Sequence, residues 1–189
     1  FLNIFLMHHN LFYLYLVSNW LFGTTPYFVR ILAALSIALT AYFVCDIAKR
    51  FYGPPAGLLS LLIFGVLMLS GNTTNELAKT ESFMILPAAF AFWVYSPGSR
   101  RTALLAGAAL GLSLSFKQIA MTDVFAFCVW ILLCADGMGE KTRQLVCTLS
   151  GFVVVTTVCV IPVIITGATF GQYYASTWLT LIQAGRGSL

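Results

Sequence analysis

Charge is what this sequence has least of. Ten Lys and Arg and six Asp and Glu make up 8% of 189 residues. A soluble domain carries about 25% and needs that much to cover its surface. The shortage excludes most soluble enzymes and binding modules. The basic residues come in ones and twos, and the net charge is only +4. A nucleic-acid partner needs a clustered basic face, so none is expected. Metal-ligand patterns are missing as well. The five cysteines, Cys45, Cys128, Cys134, Cys147 and Cys159, show neither CxxC nor His/Cys spacing. They read as small apolar packing residues, and no metal site is assigned. The opening FLNIFLM has no basic stretch, so it does not read as a signal peptide. There is no internal repeat, low-complexity tract or Pro/Gly-rich linker. The chain therefore reads as a single transmembrane domain, residues 1–189, and as a piece of something longer with sequence ahead of Phe1.

What is present is apolar surface. Hydrophobic residues are 60% of the chain and its mean hydropathy is +0.92. This predicts an all-α polytopic membrane protein with about six spanning or half-spanning helices plus interfacial segments. Residues 11–22 are aromatic and too short to span, which suits a helix lying at the interface. Residues 27–48, 56–70, 83–95, 102–116, 119–134 and 145–166 are the apolar runs. Gly53-Pro54-Pro55, Ser96-Pro97-Gly98 and the polar stretch ADGMGEKTRQ separate three pairs of them. Residues 102–134 must hold two crossings broken at Lys117-Gln118, a short hairpin packed within protein.

The basic residues set the orientation. Lys49 and Arg50, Arg100 and Arg101, and Lys141 and Arg143 occupy three loops that share one side if each run crosses once. The positive-inside rule makes that side cytoplasmic. The GNTTNELAKTES loop, the Lys117 turn and the tail GATFGQYYASTWLTLIQAGRGSL then face outward.

Most of the polar residues gather on that outer side. They include Glu76, Lys79 and Glu81 in the loop, Lys117, Gln118 and Asp123 at the hairpin, and His8-His9-Asn10 before the interfacial helix. An ionisable group at membrane depth costs about 2.5–3.5 kcal/mol on insertion scales, so it is a functional candidate. Carboxylates beside cations suit a lipid-phosphate substrate. A carboxylate accepts the proton of a hydroxyl nucleophile, and a cation balances the phosphate leaving group. Each candidate also has a structural reading. Thr73 and Glu76 fit a capping box, and Lys79 lies three residues from Glu76. Glu81 suits a helix N-terminus. Lys117 could snorkel or pair with Asp123. Arg30 suits an interface anchor. His8 and His9 point about 100° apart on a helix, which disfavours joint metal ligation. Asn72-Thr73-Thr74 matches a glycosylation sequon, a short pattern common by chance.

From residue 10 onward the order of phrases resembles the GT-C membrane glycosyltransferases, in the branch of the protein O-mannosyltransferases and the bacterial aminoarabinose transferase. HHNLFYLYLVSNWLFG (residues 8–23) is similar to that branch's KPPL-F-Y to W-x-x-L-F-G segment. YFVRILAAL supplies its helix-opening arginine, and AKRFYGPPAGLLSLL its basic turn followed by G-x-x-A-G-L-L. KTESFMILPAAFAFW resembles its N-T-E-x-F phrase and proline-bearing helix. AGAALGLSLSFKQ resembles its G-A-x-x-G-L phrase ending in K-Q, and GATFGQYYASTWL its closing G-A segment.

The resemblance implies inverting transfer of a sugar from a polyprenyl-phosphate donor to an acceptor on the outer face. The acceptor (lipid, glycan or protein) is unspecified. Glu81 becomes a secondary catalytic acid on the acceptor side, with Glu76 a weaker candidate. Lys117 and His8 become phosphate contacts, His8 standing where the branch has the lysine of KPPL. Gln118 and Arg30 support them. No cofactor is implied, with a divalent metal left open. The branch's principal acid belongs to a first outer loop that would precede Phe1, so the chain reads as a fragment lacking the first helix and that loop. The implied location is a bacterial inner membrane with the active face periplasmic. Two alternatives stay open: a secondary transporter or flippase, and a non-catalytic membrane subunit.

Overall fold

A computed structural model describes residues 27–69 and 80–165. Helices account for 92% of them, with no strand among the described residues. The elements are α1 (Tyr27–Tyr52), α2 (Pro54–Leu69), α3 (Thr80–Val94), α4 (Arg100–Phe116), a single 3-10 turn (Gln118–Ala120), α5 (Met121–Cys134) and α6 (Met138–Ile165). The all-α expectation holds. The interfacial helix at 11–22, the loop at 71–79, the sequon and the tail from 167 lie outside the described residues.

Three turns carry the basic pairs, and each contains a glycine with positive φ: Gly53 at 87°, Gly98 at 86° and Gly137 at 76°. Only glycine enters that region without a steric penalty. Three helix boundaries differ from the hydropathy reading in ways the chemistry explains. α1 runs four residues past Ala48 to Tyr52, because Lys49 and Arg50 favour a helix C-terminus and only Gly53 stops it. Pro54 and Pro55 lie inside α2, where first-turn prolines lose no needed hydrogen bond. α6 begins at Met138, so most of the predicted polar loop is helix. Its first turns are held by Glu140, which accepts from Arg143 at 2.5 Å and from Gln144 at 2.6 Å.

The predicted break at Lys117 is present. Lys117 is extended (φ −156°, ψ 136°), ends α4 and opens the 3-10 turn into α5. At its other end α4 is capped by Ser99, whose side chain accepts from the Thr102 amide.

α1 packs on α2 and α3, α3 on α4, and α4 most extensively on α6. That last contact is a meeting of backbones. A Cβ placed on Gly107 would lie 1.9 Å from the Thr148 carbonyl oxygen, and one on Gly151 2.2 Å from that of Leu104. Small residues are what allow such an approach, and it is how helices associate where hydrophobic burial offers no drive. The core follows the same pattern: Ala91, Ala103, Ala106 and Leu110 are fully buried, with Phe127 and Ile131 of α5 set over them. Phe127 meets Phe92 and Tyr95 edge-on at 5.0 and 5.3 Å.

The apolar surface faces outward. Leu58, Leu62 and Val66 of α2 are each 67% exposed, on a helix with no charged residue. Tyr27–Tyr52 and Met138–Ile161 are long and apolar enough to cross a bilayer, while Pro54–Met68, Glu81–Val94 and Gln118–Cys134 are shorter apolar helices. This is an inside-out surface suited to lipid rather than water.

Candidate active site

Helix directions sort the charged residues into two groups. Ser36 of α1 donates to the Ser82 carbonyl at 2.6 Å, near the start of α3. At the other end of the same helices Arg50 donates to the Trp93 carbonyl at 3.3 Å. α1 and α3 are therefore parallel. Arg143 of α6 donates to the Gly98 carbonyl in the α3–α4 turn at 3.1 Å. Arg50, Arg100 and Arg143 thus gather at one end of the bundle. Glu81, at the head of α3, lies at the other end with Lys117, at the foot of α4.

Glu81 and Lys117 form a salt bridge from Nζ to Oε1 across 36 residues of sequence. Their side chains are 45% and 37% exposed, so the pair is half-open. The sequence left Lys117 free to pair with Asp123, but the bond goes to Glu81. The extended conformation at Lys117 separates the two halves of the hairpin, and Asp123 falls in the first turn of α5 beyond it.

Three features hold the pair in place. Pro87 sits inside α3, has no N–H, and so leaves a carbonyl of the preceding turn without its helical donor. Hydroxyls of the neighbouring helices bond the carbonyls on either side of it: Ser36 reaches Ser82, and Ser113 of α4 donates to the Met84 carbonyl at 2.8 Å. Phe83 and Phe116 stack at 6.1 Å beside the ion pair, and Phe83 packs on Val29 and Ala33. The first turn of α3 is thereby tied to α1 on one side and α4 on the other.

Arg30 stands near the head of α1, at the same end and exposed, and Gln118 follows Lys117 as an exposed residue of the 3-10 turn. Arg30, Glu81, Lys117 and Gln118 therefore share one end, with Glu81 and Lys117 in direct contact. His8 and Glu76 lie outside the described residues, as does Lys79. Among the described residues no three His, Cys, Asp or Glu side chains come together as a cation site.

A second cluster, at the basic end, was not singled out in the sequence. Trp93 Nε1 donates to Asp46 at 2.8 Å, Arg50 bridges to Asp46 at 2.5 Å, and the Arg50 guanidinium lies 5.1 Å over the Trp93 ring. Asp46 and Arg50 are four apart, a legible helical pair. Their joint partner 43 residues beyond Arg50 is not legible.

A lysine ammonium has three donors. One is used on Glu81, which fixes the cation and leaves the others for a phosphate oxygen. An ionised carboxylate such as Glu81 is an acceptor, the kind of group that takes a hydroxyl proton. The arrangement can therefore hold an anionic leaving group and an incoming alcohol side by side.

An all-helical membrane protein with an acid–cation pair at the end opposite its basic turns is the class these features define. The chain belongs to the dolichyl-phosphate-mannose-protein mannosyltransferase family, whose model matches residues 10–165. It is thus an integral membrane protein of a glycosyltransferase family that draws on a lipid-phosphate-linked sugar. No curated protein and no solved structure matches the chain.

Proposed function

We propose that the protein transfers a sugar from a polyprenyl-phosphate donor to a hydroxyl acceptor at the membrane face that carries Glu81 and Lys117. The observation supporting this is the interhelical Glu81–Lys117 pair, set at the end of the bundle away from the basic turns. The positive-inside rule makes the basic end cytoplasmic, so the reaction face is the opposite one, periplasmic in a bacterial inner membrane.

In this reading the acceptor oxygen attacks the anomeric carbon. The new C–O bond forms as the bond to the phosphate oxygen breaks, and the electron pair leaves on the polyprenyl phosphate. Lys117 holds that phosphate and balances its growing charge. Glu81 orients the acceptor hydroxyl as a secondary acid. The acceptor's proton passes to the principal carboxylate that the family places in its first outer loop. Gln118 and Arg30 flank the phosphate path, and His8 and Glu76 remain candidates beside them.

The test is Glu81→Gln, Glu81→Ala and Lys117→Ala in the full-length protein, assayed for sugar transfer at matched expression. Turnover should fall by about 10²-fold for each, the lower end of what a positioned acid–base group contributes. Undiminished turnover in all three removes the pair from the reaction.

A further inference from the structure

At the basic end, away from the ion pair, lies a cavity of about 350 Å³. Its walls come from the last turns of α1, α3 and α5: Arg50, Phe51, Phe92, Trp93, Trp130 and Cys134. Phe51 and Trp130 meet edge-on at 5.4 Å and close it on the α1–α5 side. The cavity is thus a slot between apolar helix ends, opening where a membrane core gives way to headgroups. Among the described residues Arg50 is its one charged lining residue. The Arg50 side chain is 51% exposed, and its described contacts to Asp46 and the Trp93 carbonyl engage two of its N–H donors. A guanidinium has five.

We propose that this slot binds one phospholipid of the leaflet on the basic side, with its phosphate against Arg50 and an acyl chain along Phe51, Trp130 and Cys134, and that it prefers an anionic headgroup. The aromatic walls match a hydrocarbon chain and a glycerol backbone. Charge complementarity supplies the preference. The ends and turns at this side hold Lys49, Arg50, Arg100, Arg101, Lys141 and Arg143 against Asp46, Asp136 and Glu140, a surplus of three positive charges. Basic pockets between membrane helices on the cytoplasmic side take acidic lipid headgroups. The site rests on the chain's membrane setting and not on the transfer reaction, so it stands or falls separately.

The reporters are already in the wall. With Trp20→Phe and Trp178→Phe in the full chain, Trp93 and Trp130 report from the slot. The protein is placed in phosphatidylcholine vesicles doped with dibrominated phosphatidylglycerol or dibrominated phosphatidylcholine, whose bromines quench nearby tryptophan. The anionic lipid should compete for the reporters about fivefold better or more, the effect of one net basic residue near the surface. Arg50→Gln should abolish most of that selectivity. Cys134→Phe, which fills the slot with an apolar ring, should abolish it too. Arg101→Gln removes a charge at the same end without touching the slot and should keep most of it. Equal quenching by the two lipids overturns the proposal. So does selectivity that survives both Arg50→Gln and Cys134→Phe, which would mark a general attraction of the basic end. Reversal by inorganic phosphate alone would also overturn it, since the ligand would then be a free anion.

Discussion

Neutralising Glu81 without changing its shape separates its chemistry from its role as a strut. A half-exposed ion pair contributes about 0–1 kcal/mol to stability. Glu81→Gln should therefore lower the unfolding temperature in detergent only slightly, while transfer activity falls far more. A stability loss matching the activity loss would make the pair a structural staple. Tyr95 gives a contrasting case at the basic end. It is only 8% exposed, and its hydroxyl has no partner among the described residues. A buried hydroxyl without a partner costs free energy, so Tyr95→Phe should match or exceed the parent's stability. Thermal unfolding in detergent checks it.

At the scale of elements, the α4–α6 contact makes the sharpest prediction. Gly107→Ala sets a methyl group 1.9 Å from the Thr148 carbonyl oxygen, so the helices must separate. It should cost several kcal/mol and abolish monodisperse elution. Gly65→Ala meets nothing within 4 Å and should be neutral or slightly stabilising. Equal behaviour of the two variants would mean that α4 and α6 do not pack this way. The same elements show what a sequence discloses. The apolar runs and the polar stretches between them gave the number of helices among the described residues and the break at Lys117. Hydropathy misplaced the start of α6 because Glu140, Lys141, Arg143 and Gln144 are polar yet good helix formers, and local pairs keep them helical. It also stopped α1 early, reading Lys49 and Arg50 as loop when they suit a helix end. Glu81 and Lys117 were each visible as charges in an apolar setting. Their contact was not, since no local rule links residues 36 apart and only the packing of α3 on α4 brings them together. Trp93, Asp46 and Arg50 were obscured for the same reason.

For the whole molecule, the proposed reaction face requires the two charged ends to lie in different compartments. With cysteines placed one at a time, Gln118→Cys and Arg101→Cys should react with a membrane-impermeant maleimide from opposite sides of sealed vesicles. Labelling from a common side would dissolve the proposed reaction face along with the orientation. The lengths of the helices carry one more consequence. α4 has 17 residues and α5 has 14. At 1.5 Å per residue they rise about 26 and 21 Å, against a hydrocarbon layer of about 30 Å. Lipid tails around the hairpin must compress or splay to meet them, at a fraction of a kcal/mol per ångström. Acyl-chain length thereby becomes a tuning variable: reconstituted in short-tailed lipids the protein should be more thermostable than in long-tailed ones, and in a cell it should favour the slimmer of the membranes open to it.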